Sequence, residues 1–254
     1  VATARPDETP AGLPTPPGRK PRRAAPPRRP LTREAVVETA IRILDAEGLE
    51  AVTMRRVAQE LGTGPASLYA HVSGKEELRE LMLDRVAAEI RLPEPDPARW
   101  QEQLKELARE VRRVYVSHRD IAMVSMGLIP TGPHLLDVAE AQLALMRAGG
   151  VPKKIAGMAV DTLGMFLDAD AIEGTVYYAK APAGEDPHAF FESYFGQFKE
   201  YFSALPEDRY PVLTGMVEEL TGADDDGRFE FGLDLIVRGI ASYVEDGEAA
   251  EDPA

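Results

Sequence analysis

Between Val52 and Lys75 the chain reads VTMRRVAQELGTGPASLYAHVSGK, with apolar residues in two helical registers on either side of a glycine-bracketed turn. Met54, Val57, Ala58 and Leu61 recur at three- and four-residue spacing, which buries one face of a first short helix. Thr53 stands at its start, where a hydroxyl satisfies an orphan backbone N–H. Gly62 accepts the left-handed conformation needed past the helix end, and Pro65 opens the next helix where no N–H is required. In that second helix Leu68 and Val72 point inward, leaving Ala66, Ser67, Tyr69, Ala70 and His71 on an outward, mostly small-residue face. The pattern predicts a helix-turn-helix whose second helix is slim enough for a major groove. Ser73 followed by Glu76 reads as a capping box opening a further helix, with Lys75 in its first turn. A cation there opposes the helix dipole, which suggests that a phosphate arrives from outside.

The same periodicity runs through the rest of the chain. Val36, Val37, Ala40, Ile41 and Leu44 predict a helix from about Arg33 to Glu47, capped by Thr32 and ended by Gly48. The helix opened by Ser73 continues through Leu78, Leu81, Met82 and Val86 to about Arg91, where Pro93, Pro95 and Pro97 stop it. Beyond lie helical patterns from Trp100 to Tyr115, near Ile121–Met126, over about His134–Ala148, and from Pro152 to about Lys180. Further ones span His188–Leu205, about Pro211–Leu220 and Phe229–Tyr243, with GADDDG read as an exposed loop before the last. Phe190, Phe191, Tyr194, Phe195, Phe198 and Phe202 form an aromatic face expected in a core or interface. No segment alternates with the period of a strand, so the expected fold is all-α. It consists of an N-terminal three-helix helix-turn-helix domain and a C-terminal helical domain.

Charge changes this picture more than composition does. The 254 residues are 44% apolar, enough for a substantial core, and contain no cysteine, which excludes disulfides and thiolate chemistry. No apolar run reaches the roughly 18 residues of a membrane span, and the N-terminus lacks the apolar stretch of a signal peptide. A cytoplasmic protein with no membrane partner is expected. The net charge of −14 is unevenly placed: residues 1–91 hold 15 Lys and Arg against 13 Asp and Glu, whereas residues 92–254 hold 14 against 30. Such a body repels phosphates and turns the N-terminal end toward DNA. Residues 1–31 form a Pro-rich segment without apolar periodicity, read as a disordered arm. Within it Arg22, Arg23, Arg28 and Arg29 stand in a run free of acids, suited either to following phosphates beside the motif or simply to solubility. The expected division is this arm, a DNA-binding domain with its linking helix over 32–91, and a ligand-binding and dimerisation domain over 92–254.

Candidate chemistry elsewhere is thin. Four scattered histidines make no metal cluster; His118 is expected to cap carbonyls, and His134 is a candidate for lining a pocket. Asp168, Asp170 and Glu173 share one helix and read as solvated or interface charges rather than an acid–base pair. No nucleophile elbow, HExxH or phosphate-binding glycine loop is present, so no enzyme, metal or cofactor is expected.

The segment TREAVVETAIRILDAEGLEAVTMRRVAQELGTGPASLYAHVSGKEEL resembles the DNA-binding domain of the tetracycline-repressor (TetR) family of bacterial regulators. SHRDIAMVSMG (117–127), AEAQLALM (139–146) and FEFGLDLIVRGI (229–240) are similar to the C-terminal part of its tetracycline-repressor subclass. The resemblance implies a homodimer through the long helix ending near Lys180 and the helix from Phe229, with Gly232, Gly239 and Ala241 permitting close approach. It also implies double-stranded operator DNA and a small-molecule effector as partners. Thr53, Tyr69, His71 and Lys75 are then expected on phosphates, and Arg55, Pro65, Ala66, Ser67 and Ala70 on bases. Arg55 is the guanine reader among them, because its fork bonds O6 and N7 together. The family's drug-binding positions fall on Arg91, Leu107, Val111, Ser125, Gln142 and Glu173, of which only Gln142 and Glu173 look retained. Ser125 stands where a metal-binding histidine belongs, which argues against magnesium-bound tetracycline. With Met123, Met126, Met146 and Met165 nearby, the replacements suggest a roomy cavity for a hydrophobic effector. The expected function is a ligand-responsive repressor; an activator of the same family, or a helical carrier or enzyme without DNA binding, are the alternatives.

Overall fold

The threonine caps and glycine stops expected at the N-terminal helices are in place in a computed structural model, which describes residues 31–178, 180, 182, 186–222 and 225–245. Helix α1 (Arg33–Glu47) starts where the Thr32 hydroxyl accepts from the Ala35 N–H at 3.1 Å. It ends at Gly48, whose φ of 89° admits glycine alone without strain. After a single 3₁₀ turn, α2 (Met54–Glu60) is capped by Thr53, whose hydroxyl accepts from the Arg56 N–H at 3.1 Å. Gly62, at φ 64°, turns the chain into α3 (Pro65–Leu68), and α4 (Lys75–Ala87) closes the group. Val36, Ala40, Leu44, Val57, Ala58, Leu68, Val72, Leu78 and Met82 are all buried, so these helices share one core.

The C-terminal part comprises α5 (Trp100–Ser117), α6 (Ile121–Ser125), α7 (Pro133–Ala148), α8 (Lys153–Tyr178), α9 (Pro187–Ser203), α10 (Pro211–Thr214), α11 (Val217–Thr221) and α12 (Asp225–Glu245). Every regular element among the described residues is a helix, and none is long and apolar enough to cross a membrane. Helix α5 packs against α7, α8 and α12, burying Leu104, Leu107 and Val111 with Leu145, Met146, Leu163, Leu167, Phe229 and Leu233. Its cations meet α12 in an antiparallel ladder: Lys105 with Asp234 at 2.6 Å, Arg109 with Glu230 at 2.7 Å and Arg112 with Asp226 at 2.8 Å.

Four expectations about helix ends need correction. The box at Ser73 closes on Glu77, not Glu76: the helix begins at Lys75, so Glu77 occupies its third position and accepts from the Ser73 N–H at 2.5 Å. Those bonds to Ser73 hold the Glu77 carboxyl below its ordinary pKa. Helix α4 stops at Ala87, ahead of the prolines, because three-residue hydrogen bonds tighten its end and tuck Ile90 into the core. The expected helix from Pro211 to Leu220 is two pieces, broken at Gly215 and Met216. Half of the GADDDG loop is helical, since α12 begins at Asp225. Acidic residues suit a helix N-terminus, and Asp226 gains Arg112 as well.

Three ties join the helix-turn-helix to the C-terminal helices. The buried Asp84 carboxylate on α4 accepts from the backbone N–H groups of His134 (2.9 Å) and Leu135 (3.1 Å), so it caps the start of α7 from another helix. Gly132 leaves the room: a Cβ there would lie 2.2 Å from Asp84 Oδ1. Asp120, at φ 59°, accepts from the Leu49 N–H at 2.8 Å. His118 lies between Asp45 at 3.1 Å and Glu89 at 3.3 Å, so it bridges two carboxylates rather than capping carbonyls.

Asp84→Ala strands the two N–H groups at the start of α7, that of Leu135 buried, and is expected to lower stability by about 1–3 kcal/mol. The shift of the urea midpoint at constant m-value checks it.

Candidate nucleic-acid interface and effector cavity

Leu68 and Val72 are fully sunk in the core, and this turns the other face of α3 outward. Pro65, Ala66, Ser67, Tyr69 and Ala70 are exposed there, Tyr69 by 56%, and Thr53 and Arg55 are exposed on the first turn of α2 beside it. His71 and Lys75 are half-buried at the far end of the motif. The two arginines of α2 differ sharply. Arg56 is held by Glu47 at 2.6 Å and Glu60 at 2.8 Å, which raise its pKa further, whereas Arg55 has no hydrogen bond or ion pair among the described residues. Arg55 and Lys75 are therefore available to an outside anion. Arg22, Arg23, Arg28 and Arg29 lie outside the described residues.

One contributor was not visible in the sequence. Arg33 donates from Nε to the His71 carbonyl at 3.0 Å and from Nη2 to Glu77 at 2.8 Å, while Glu77 holds Ser73. This chain of contacts anchors the end of the recognition helix to α1 and α4. Nothing local marks Arg33 for it, since its partners lie 38 and 44 residues away.

In the C-terminal part, α5, α7, α8 and the segment after α6 enclose a cavity of about 610 Å³. Of the expected ligand residues, Val111, Ser125, Gln142 and Met165 line it. The other three stand elsewhere. Leu107 is packed in the core a turn along α5; Arg91 is exposed near Glu110; Glu173 pairs with Arg228 of α12. His134 faces Asp84, not the cavity. Gly157 and Gly164 on α8 keep the space open, since a Cβ at either would meet nothing within 4 Å.

Tyr115 and Asp168 are the residues the sequence reading missed. Asp168 is buried, 8% exposed, and lines the cavity instead of standing in solvent. Burial pushes its pKa up to about 6, against a smaller opposing effect from the Ser125 hydroxyl. Tyr115 Oη lies 3.4 Å from Ser125 Oγ, and burial pushes the phenol to about 12, so it stays a donor. A signal did exist: Gly157, Asp161, Gly164, Met165 and Asp168 recur at helical spacing and define the cavity face of α8.

Met126, Gly127, Leu128 and Ile129 form a wall shared with a second cleft of about 550 Å³, whose other side is Leu49 with Glu76, Arg79 and Glu80 of α4. The α6–α7 segment thus stands between the cavity and the helix that follows the recognition helix. Arg79 Nε is buried in that region without a hydrogen-bond partner, an arrangement that gains from any shift bringing an acceptor. On the opposite side, α8 and α12 expose Met158, Leu235 and Tyr243 around a small apolar groove that Gly239 helps line. Gly232 is used differently from the expectation: it lies under the Phe166 ring, 2.7 Å from where a Cβ would sit, so it serves packing within the chain.

Comparison with known proteins agrees with this layout. Residues 36–82 match the family model for bacterial regulatory proteins of the tetR family, and residues 92–244 match the model for the tetracycline-repressor-like C-terminal domain. The HTH-type transcriptional repressor DrrR1 of Streptomyces coeruleorubidus is 36% identical over 242 residues, covering 92% of this chain and 86% of the relative. The tetracycline repressor class D of Escherichia coli is 29% identical, covering 83% and 89%. Apo ActR from Streptomyces coelicolor superposes with a TM-score of 0.77 at 40% identity, covering 87% of this chain and 99% of ActR. ActR in complex with actinorhodin gives 0.76 at 40% identity, with 85% and 99% covered. With its exposed recognition face, its tied helical body and these matches across both parts, the chain belongs to the tetracycline-repressor (TetR) family of helix-turn-helix transcriptional regulators.

Proposed function

We propose that this protein is a homodimeric repressor that leaves its operator when a small, largely apolar effector fills the cavity between α5, α7 and α8. The observation that carries this reading is the wall Met126–Ile129, common to that cavity and to the cleft against α4. An effector that displaces the wall or the start of α7 must also move Asp84, and with it α4 and the recognition helix. The effector releases DNA to the extent that it binds the displaced arrangement more tightly. ActR, solved with actinorhodin bound, supports a small-molecule effector for a chain so similar. The repressor DrrR1 supports repression as the output.

Dimerisation uses the apolar face of α8 and α12. Its two-fold symmetry sets the recognition helices about one DNA turn apart, roughly 34–36 Å, on an inverted repeat. The sensor spans 92–254 and the reader 32–91, with the basic arm ahead of it available to the flanking groove. Arg55, Pro65, Ala66, Ser67 and Ala70 meet bases; Thr53, Tyr69, His71 and Lys75 meet phosphates.

Operator duplexes selected from a random pool test the DNA half of this reading. Arg55→Ala is expected to cost roughly 1–3 kcal/mol and relax specificity at one base pair. Lys75→Ala should weaken binding to all sequences and flatten the salt dependence. Fluorescence anisotropy against matched and single-mismatch duplexes separates the two; equal loss on every duplex for both variants assigns Arg55 wrongly. Leu235→Glu, on the exposed α12 face, should yield monomers in sedimentation velocity and, with them, loss of operator binding. A dimer unchanged by Leu235→Glu would place the interface elsewhere.

The cavity makes its own prediction about stability. Asp168 has a folded pKa of about 6 against an ordinary 3.8, so the folded chain holds an extra proton between those values. The stability linked to that proton is whole below about pH 4 and is lost as the pH rises through 6. Asp168→Asn should match the parent near pH 4 and be more stable by about 1–3 kcal/mol above pH 7. Thermal melts of both proteins between pH 4 and pH 8 read the difference, and a gap that does not change with pH would mean Asp168 is not the buried titrating group.

A further inference from the structure

The effector cavity is chemically lopsided. Helices α5 and α7 and the α6–α7 segment give it mainly apolar surface, whereas α8 contributes two carboxylates, Asp161 and Asp168. No Lys, Arg or His stands among its described lining residues. Of the two, Asp168 is the buried one and Asp161 is exposed; the Ser125 hydroxyl is the hydrogen-bonding group at Asp168, and Tyr115 Oη lies 3.4 Å from that hydroxyl. Hydroxyls hydrogen-bond a carboxylate but leave its charge in place. A buried carboxylate without a counter-ion is costly, and an asparagine of the same shape would carry no such cost. Its raised pKa of about 6 still leaves the charged form in the majority at neutral pH. The arginines of α5 are already committed: Arg109 to Glu230 of α12, Arg112 to Asp226 of α12 and Asp170 of α8, and Arg113 to Glu110. The missing charge therefore has to enter with the ligand.

We propose that the effector is an amphiphilic cation: an apolar ring body, with a protonated amine that pairs with Asp168. Ser125, itself held by Tyr115, orients the carboxylate, and Gln142, buried at the cavity wall without a hydrogen bond among the described residues, meets a polar substituent on the ring body. This rests on the reading of the cavity as the effector site, and it names the chemical class that the site selects. Molecules carrying a carboxylate instead meet two negative side chains and are disfavoured.

The test uses the full chain and two fluorescent probes, monodansylcadaverine, which carries a primary ammonium, and its neutral N-acetyl derivative. The parent protein at pH 7.5 should bind the amine about tenfold to a hundredfold more tightly than the acetylated probe, the range of a charge-assisted hydrogen bond. Asp168→Asn should erase that preference by weakening the amine alone, and Gly164→Leu, which fills the cavity, should weaken both probes. Equal binding of the two probes by the parent, or equal losses in Asp168→Asn, overturns the cation proposal while leaving the cavity as the binding site. Failure of both probes to bind, or binding indifferent to Gly164→Leu, overturns the cavity reading and the proposal together.

Discussion

The carboxylate of Asp84 is the contact on which the two halves of the molecule depend for a common geometry. It sits buried on α4, a helix built into the helix-turn-helix core, and it caps α7, whose first turn supplies Leu135 to the cavity wall. A negative charge at a helix N-terminus is favoured by the dipole and by the free N–H groups together, so the bond has a direction as well as a strength. Gly132 must stay without a side chain for the approach to exist. Asp120 on Leu49 and His118 between Asp45 and Glu89 repeat the arrangement nearby, each with a side chain of one half holding the other. These ties are polar and sit within apolar packing of α4 against α5, α6 and α7, and that matters for a switch. Hydrogen bonds of defined geometry break or shift as units, and the packed helices around them are likewise bistable rather than continuously deformable.

Charge is distributed by the same logic. The body is strongly acidic, yet most of its cations are committed: Lys105, Arg109 and Arg112 to α12, Arg113 to Glu110, Arg99 to Glu106. Exposed pairs of this sort contribute little stability each, but spaced a turn apart they hold α5 and α12 in one register. At the DNA end the commitment is selective. Arg56 stiffens α2 through Glu47 and Glu60, and its neighbour Arg55 points out unpaired among the described residues. An arginine that keeps its fork open beside an exposed small-residue helix is ready to read a base edge without first breaking an internal bond. Asp168 is the mirror image in the cavity, a charge kept without a basic partner among the described residues.

Local rules were legible in the amino-acid order. Both threonine caps, the left-handed Gly62 and the bounds of α1 are short-range matters, decided by groups three or four residues apart, and the structure has them as the sequence implies. The inward and outward faces of the recognition helix follow from Leu68 and Val72 alone. Where the reading slipped, the margin was small, local at the cap and tertiary at the far end of α4. The capping residue moved from Glu76 to Glu77, and α4 ended early to bury Ile90.

The ligand site was legible only in part. Val111, Ser125, Gln142 and Met165 reach the cavity, but Leu107, Arg91 and Glu173 do not, because a position can be matched along a helix while its side chain points to another neighbour. Asp168 looked like one of several solvated acids, since nothing in the residues beside it says that α5 and α7 will cover it. The sequence by itself determined the helices, the helix-turn-helix and the uneven charge, because periodicity and capping act within one or two turns. Only the tertiary structure decided which acids cap, which bridge and which one is enclosed. Asp84, Asp120 and Asp168 are chemically alike, and burial and distant partners separate their roles.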